Sequence, residues 1–304
     1  MPNNQTGKGN ILLSIIIISY NTKKITEDCL KSIYKWNTDK AEIIVIDNNS
    51  IDGSLEMLYS YKALKKNFIL IEEKNNLGFA KANNLAVGKA SGQYVLFLNS
   101  DIIVLNNAIN KLLDFYINNQ EKVHFLGGKL LNKDLSSQPS CGPFYSLPVI
   151  FGALFLKGDY WGLTRYSPNK LKKVDWVSGA CILTKKRYFE SINGFDEKIF
   201  MYMDEIDLLY RSKKNNYQTY FYPQAEFIHL GSASSKGKTY PILQVYRGFI
   251  YFYKKHHNHP FSIFFLMFML KLKAVISLAI GKLSNSNYLI KTYAEAYRLT
   301  KMDR

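Results

Sequence analysis

Two adjacent carboxylates, Asp204 and Glu205, follow the aromatic and methionine-rich segment Met201-Tyr202-Met203. A helix dipole favours negative charge at its first turn, which accounts for one of them. Two behind a segment that reads as buried suggest a pair with a chemical task, because carboxylates near buried surface have altered proton affinity. Asp207 and Arg211, four residues apart, read instead as an ion pair along one helical face. Upstream stand four polar clusters: Ser19-Tyr20-Asn21, Asp47-Asn48-Asn49-Ser50, Lys74-Asn75-Asn76-Leu77-Gly78 and Asn99-Ser100-Asp101. Each alone has the composition of an ordinary strand-to-helix loop. Together they could hydrogen-bond a phosphate-bearing ligand, with Mg2+ or Mn2+ held by one or two carboxylates and the phosphate oxygens. His229, after a short strand, reads by itself as a turn or packing residue.

Segments of regular periodicity separate these clusters. Ile11 to Ser19 is a β-branched apolar run, Lys24 to Tyr34 has helical spacing, Glu42 to Ile46 is a second apolar run, and Ser54 to Leu64 is helical again. Phe68 to Glu72 reads as a third strand, Ala80 to Ala90 as a helix and Tyr94 to Leu98 as a fourth strand. Continuous apolar strands between amphipathic helices predict the α/β class, with a parallel sheet covered on both faces. Ligands of such sheets sit outside the carboxyl ends of the strands. All four clusters therefore share one edge, and their coincidence is the signal. Further on, Tyr217 to Tyr222 and Ala225 to Ile228 read as two short strands divided by Pro223, the second leading into His229.

No Gly-x-Gly-x-x-Gly follows the first strand and no Gly-Lys-Ser/Thr P-loop occurs, which argues against a dinucleotide oxidoreductase and a P-loop NTPase. A nucleotide-type site read by Asp and Asn side chains remains. The 304 residues carry 40 Lys and Arg against 24 Asp and Glu, a net charge of +16, and such an excess points to phosphate or an anionic surface. Residues 234–304 hold 12 basic and 2 acidic side chains, so +10 of the +16 belongs to the last quarter. No zinc-finger, RNP or helix-turn-helix pattern is present, and no nucleic-acid partner is expected. Cys29, Cys141 and Cys181 are too far apart for a Cys-x-x-Cys knot, and scarce cysteine fits a reducing compartment. The run Ile11 to Ile18 is followed by no small-residue cleavage site and reads as a buried strand rather than a signal peptide.

After residue 235 the composition changes. Tyr246 to Tyr253 is aromatic, Lys254-Lys255-His256-His257-Asn258-His259 is basic, and the apolar runs Phe261 to Leu270 and Ala274 to Ile280 flank Lys271 and Lys273. A spanning helix needs about 20 mostly apolar residues, and two lysines near its midpoint are costly. Phe, Met and Leu beside Lys and Arg suit a helix lying at a membrane surface and drawn to anionic lipid. Packing on the rest of the chain, or at a homodimer interface, is the other reading. The three histidines, two of them adjacent, do not read as a metal cluster. Phe144 to Leu156, interrupted by Pro148 and Gly152, fits a membrane-facing or ligand-covering loop, or core.

Taken in order, Ser14-Ile15-Ile16-Ile17-Ile18-Ser19-Tyr20-Asn21, Val45-Ile46-Asp47-Asn48-Asn49-Ser50-Ile51-Asp52-Gly53-Ser54, Asn75-Asn76-Leu77-Gly78-Phe79-Ala80 and Leu96-Phe97-Leu98-Asn99-Ser100-Asp101 resemble the motifs of family 2 glycosyltransferases. Trp176-Val177-Ser178-Gly179-Ala180, Gly194-Phe195-Asp196-Glu197 and the stretch from Asp204 to Arg211, followed by His229, resemble the acceptor-side half of the same family. The match covers about residues 12–235, and the pattern is most similar to the rhamnosyltransferase-like enzymes of bacterial surface polysaccharide assembly. The resemblance implies a GT-A fold, Rossmann-like, with a mostly parallel central sheet and helices on both faces. It would occupy residues 11–235, with a donor half to about residue 105 and an acceptor half from about 106 to 235. Residues 236–304 would form a basic, apolar, helical tail that associates with membrane.

By the same resemblance Asp47 reads the nucleobase, with Ser19, Tyr20 and Asn21 beside it, and Asn76 and Gly78 line the nucleotide. Asn99, Ser100 and Asp101 occupy the place of an Asp-x-Asp metal motif, with Asn where the first Asp often stands. Asp101 and His229 are the implied ligands of Mg2+ or Mn2+, Asn99 and Ser100 fall to the nucleotide-sugar, and Trp176, Gly179 and Asp207 lie on the acceptor side. Members of the family usually show Glu-Asp where this chain has Asp204-Glu205. Position therefore favours Glu205 as the base and residue type favours Asp204; position is given the greater weight. The implied function is an inverting, metal-dependent transfer of a sugar, rhamnose among the candidates, from a nucleoside-diphosphate sugar to a hydroxyl of a glycan or lipid-linked glycan. A non-catalytic nucleotide-sugar or carbohydrate-binding subunit of a polysaccharide assembly complex is the alternative. The implied location is cytoplasmic, peripheral to the inner face of the cell membrane.

Overall fold

The computed structural model describes residues 11–36, 40–231 and 239–301. Strand and helix alternate through the first hundred residues: β1 (Leu13–Ser19), α1 (Lys23–Tyr34), β2 (Ala41–Asp47), α2 (Ser54–Leu64), β3 (Phe68–Glu72), α3 (Gly78–Lys89) and β4 (Tyr94–Asn99). β1 pairs parallel with β2 and β4, and β2 with β3. Successive side chains of β1 enter two different cores: Ile16 joins one buried cluster and Ile15 and Ile17 the other. A strand clothed on both faces requires that unbroken apolar run.

The chain continues through β5 (Ile102–Val104), α4 (Ala108–Asn118), β6 (Phe125–Leu131), β7 (Cys141–Gly142), α5 (Leu147–Phe155), β8 (Lys172–Val174) and β9 (Trp176–Val177). Then come β10 (Cys181–Lys185), α6 (Lys186–Ser191), α7 (Asp204–Lys214) and β11 (Thr219–His229). Among the described residues the main sheet runs β3-β2-β1-β4-β10-β6-β11-β5, with β8 on β11, while β7 and β9 form a separate pair. The sheet is mixed: β10 lies antiparallel between β4 and β6, and β11 is parallel to β6 but antiparallel to β5.

The two strands expected on either side of Pro223 are one strand, β11. Proline cannot donate to a ladder, and Pro223 falls where the register with β6 shifts between Tyr222 and Glu226, a position at which a sheet tolerates it. Phe144 to Leu156 contains helix α5, with Ile150 buried and Phe151 exposed.

Three helices follow: α8 (Thr239–His256), α9 (Pro260–Leu283) and α10 (Asn287–Leu299). Tyr246, Phe249 and Phe252 of α8 share a buried cluster with Phe97 of β4, Trp176 of β9 and Leu208 of α7. α9 runs unbroken through Lys271 and Lys273. The expected boundary at residues 235 and 236 lies outside the described residues. All three cysteines are free and buried, and burial pushes the thiols of Cys141 and Cys181 up to about 12, which leaves them unreactive near neutrality.

Candidate active site

Parallel register sets the carboxyl ends of β1, β2 and β4 side by side, pairing Ser19 with Asp47 and Ile18 with Asn99. Hydrogen bonds then lock the two loops that leave β1 and β2. Asn21 donates its N–H to Ser50 Oγ at 2.9 Å and accepts from the Ile51 N–H through Oδ1 at 2.8 Å. Asn21 and Asn49 adopt left-handed φ values of 51° and 68°, a region in which Asn is one of the better tolerated side chains. Asp47 Oδ2 accepts from the Ser50 N–H at 2.9 Å. Its other oxygen, Oδ1, is buried without a partner, on a residue only 2% exposed. A buried carboxylate oxygen with no donor is costly, and a ligand donor would satisfy it.

Asn76 and Gly78 lie beyond β3. Asn76 Oδ1 accepts from the Gly78 N–H at 2.9 Å. Gly78 has φ +76°, and a Cβ there would come within 2.9 Å of the Phe200 carbonyl oxygen, so this glycine is required by close packing. Tyr20 is half-buried beside Ser19.

Antiparallel pairing of β5 with β11 sets His229 opposite Ile102, next to Asp101. His229 Nε2 lies 3.4 Å from Asp101 Oδ1 and 3.4 Å from Asn99 Nδ2. Its other ring nitrogen, Nδ1, donates to Gln138 Oε1 at 2.7 Å. The Gln138 amide is oriented in turn, because its Nε2 donates to Asn132 Oδ1 at 3.0 Å. This chain fixes the tautomer and leaves the Nε2 lone pair directed toward Asp101. Ser100 is half-buried in the turn between Asn99 and Asp101. Among the described residues no three His, Cys, Asp or Glu side chains converge into a full metal cage.

Asp204 and Glu205 open α7, as their charge favours. The turn before them is strained: Tyr202 and Met203 both have left-handed φ, 64° and 68°, a conformation that persists only when surrounding packing enforces it. α8 supplies that packing, since a Cβ on Gly248 would come 2.6 Å from Met203 Cγ. Asp204 is 5% exposed. Burial, and then the neighbouring Glu205 carboxylate to which it hydrogen-bonds, push Asp204 well above the usual carboxylate range. A proton shared by the pair is thus favoured on Asp204, beside Glu205, the more open of the two. Gly179 stands where a Cβ would sit 3.6 Å from Glu205 Cβ, and the Asn99 N–H donates to the adjacent Ala180 carbonyl at 3.1 Å. The Ser178–Ala180 turn therefore links the Asn99 and Asp101 corner to Glu205.

Trp176 and Asp207 lie deeper. Trp176 is buried and donates Nε1–H to the Pro143 carbonyl at 2.8 Å. Asp207 is fully buried beneath α8, where Oδ2 accepts from Arg211 Nε at 2.7 Å and Oδ1 from Lys255 Nζ and His256 Nε2, each at 2.7 Å. Sequence reasoning missed Gln138 and Tyr145. Gln138 follows Asp134 to Ser137, whose composition is that of any turn, and nothing in the local pattern points to His229. Tyr145, stacked on Trp176 with centroids 6.2 Å apart, lies within the apolar stretch whose role the sequence left open.

Residues 14–129 match the protein family described as Glycosyl transferase family 2. The chain is 27% identical over 237 residues to the N-acetylglucosaminyl-diphospho-decaprenol L-rhamnosyltransferase of Mycobacterium tuberculosis, covering 72% of this chain and 76% of that protein. It is 28% identical over 211 residues to a low-salt glycan biosynthesis hexosyltransferase of Haloferax volcanii, covering 67% of this chain and 62% of the relative. In fold it is similar to a mannosyltransferase of Pyrobaculum calidifontis solved in complex with GDP-Man and Mn2+. That likeness has a TM-score of 0.58 at 15% identity, over 95% of this chain and 84% of the other. TarS of S. aureus gives a TM-score of 0.54 at 14% identity, over 96% and 92%.

Proposed function

We propose, from the premise that this chain is a family 2 glycosyltransferase of GT-A fold, that it moves a sugar, rhamnose among the candidates, from a nucleoside-diphosphate sugar to a hydroxyl of a glycan or lipid-linked glycan. The observation that carries this reading is the shared strand edge. Asp47, with its open oxygen, and the Asp101–His229 pair stand at the carboxyl ends of strands of one sheet, and the Ser178–Ala180 turn runs from the Asn99 corner to Glu205. Two relatives agree in kind: the M. tuberculosis protein is named for a lipid-diphosphate sugar acceptor, and the P. calidifontis structure holds GDP-Man and Mn2+.

In this reading Asp47 Oδ1 accepts a hydrogen bond from the nucleobase. Asp101 and His229 are the residues that would hold Mg2+ or Mn2+. They fit it: a carboxylate oxygen and a ring lone pair face each other, and two protein donors leave the other positions to phosphate oxygens and water, as hard divalent ions prefer. Such an ion, when bound, supplies Lewis-acid neutralisation of charge on the departing diphosphate. Glu205 takes the proton of the attacking hydroxyl. The acceptor oxygen bonds to the anomeric carbon as the bond to the diphosphate breaks, and a single displacement inverts the configuration. The enzyme would work in the cytoplasm.

Incubation with Mg2+ or Mn2+ and a panel of dTDP-, UDP- and GDP-sugars should stabilise the chain with one nucleotide class, by about 2.7 kcal/mol at a hundred times Kd, read as a rise in unfolding temperature. Asp101→Ala should lose the ion-dependent part of that protection. Absence of protection by every donor with both ions would overturn the reading. Gln138→Leu should raise the Mn2+ concentration needed for half-maximal donor protection by about 10- to 100-fold. An unchanged Mn2+ requirement would mean that Gln138 does not orient His229.

A further inference from the structure

α9 is the one helix among the described residues long and apolar enough to cross a membrane, with a mean hydropathy of 2.2 over its most apolar window. Its two sides differ. Leu266, Leu270, Ala274 and Gly281 are buried on one, where α9 packs against α10, α8 and α5. The other exposes Phe261, Phe264, Phe265, Phe268, Leu272 and Ile276, with Phe264 at 65%. At about 100° per residue these six fall on one continuous stripe, with Lys271 and Lys282 on one flank and Lys273 on the other. α5 extends the apolar surface with exposed Phe151, and the turn after it exposes Leu156, Tyr160 at 79% and Trp161 at 68%. So much exposed aromatic surface on α9, on α5 packed against it and on the turn that follows α5 is the mark of an interaction site.

We propose that the exposed face of α9, together with Trp161 and its neighbours after α5, lies on an anionic lipid bilayer with the helix axis in the plane of the surface. A flat helix buries its apolar stripe among the acyl chains while its flanking lysines reach back to the headgroups. The local charge fits this partner, since residues 234–304 carry +10, from 12 basic and 2 acidic side chains, and lysines near anionic lipid each strengthen binding. A spanning orientation would instead carry Lys271 and Lys273 to the bilayer midplane and strip α10 from the opposite face. Tyr and Trp side by side after α5 have the amphipathic form that settles at headgroup level.

The proposal rests on the reading of the site in one respect, what the contact serves. α5 begins two residues after Tyr145, which stacks on Trp176. Three residues beyond Trp176 stands Gly179, beside Glu205. A bilayer under α5 and α9 thus lies against the structure that frames the acceptor side, where a lipid-linked hydroxyl would arrive.

Purified full-length chain should co-sediment with phosphatidylcholine vesicles containing phosphatidylglycerol and much less with phosphatidylcholine alone. Phe264→Glu combined with Phe268→Glu should weaken that binding at least about tenfold, and Trp161→Ser should weaken it to a smaller extent. All three positions are exposed, so unfolding temperature and donor protection should stay at wild-type values. The proposal is overturned if the wild type stays in the supernatant with the anionic vesicles, or if the double variant binds as tightly as wild type. It is equally overturned if the chain dimerises without lipid and the double variant is monomeric, which would make the face a homodimer interface. Membrane-bound chain that resists alkaline carbonate extraction would indicate a spanning helix and overturn it too. Vesicle binding that persists when no nucleotide-sugar protects the chain would refute the functional reading and leave this one standing.

Discussion

Glu205→Gln is expected to lower sugar transfer by about a hundred- to ten-thousand-fold, the range lost when a positioned general base is removed, while protection by the donor remains at the wild-type level. The asymmetry follows from burial. Asp204 is enclosed at the first turn of α7, where burial and then the adjacent Glu205 carboxylate disfavour its ionised form. A protonated carboxyl cannot accept the acceptor's proton, but it can donate to Glu205 and keep that side chain in place. Asp204→Asn preserves a donor of similar shape at that position. It should therefore retain activity to within about tenfold, the cost of perturbing one hydrogen bond. Initial rates of nucleoside diphosphate release for both variants, beside donor-induced shifts in unfolding temperature, separate the roles. Full loss in Asp204→Asn with turnover kept in Glu205→Gln would transfer the base to Asp204.

How much of this could be read from sequence depends on the distance over which each contact acts. The donor edge was legible because a strand and the loop that follows it are one local pattern: an apolar run ends, and Ser19, Asp47 or Asn99 stands at its carboxyl end. Parallel pairing then brings the three ends together without further information. His229 was harder. Its tautomer depends on Gln138, 91 residues away, and periodicity carries no trace of such a pair. Pro223 misled in a different way: proline marks a break in a ladder, but a register shift absorbs it and β11 continues. The packing of α8 was invisible for the same reason as Gln138. The sequence displays an aromatic helix, and only the fold reveals that Gly248 of that helix bears on the strained turn before Glu205.

Asp207→Asn is expected to destabilise the protein by about 3–5 kcal/mol at neutral pH, the cost of leaving buried cations without their counter-charge. The sequence exposed one partner, Arg211 at i+4, and not Lys255 and His256, which lie 48 and 49 residues away. Arg211 also holds the carbonyl of Gly194 through Nη2 at 2.6 Å, and Lys255 reaches Asp196 at 2.6 Å. Asp207 is therefore the common anchor of α7, α8 and the segment between α6 and α7. Burial alone would raise its carboxyl, but hydrogen bonding from His256, the charge of Arg211 and the contact of Lys255 hold it well below the usual range. The sign of the pH dependence follows. A depressed carboxyl adds stability that is fully present above its unfolded value near 3.9 and is lost as pH falls toward the folded one. Wild-type unfolding temperature should thus decline with acid below about pH 4–5, whereas Asp207→Asn should start lower and lose less over the same range. Lys255→Gln in the Asp207→Asn background should cost less than in the wild type, because contacting residues are not additive. Equal acid sensitivity of wild type and Asp207→Asn would mean that this anchor does not set the acid limit of the fold.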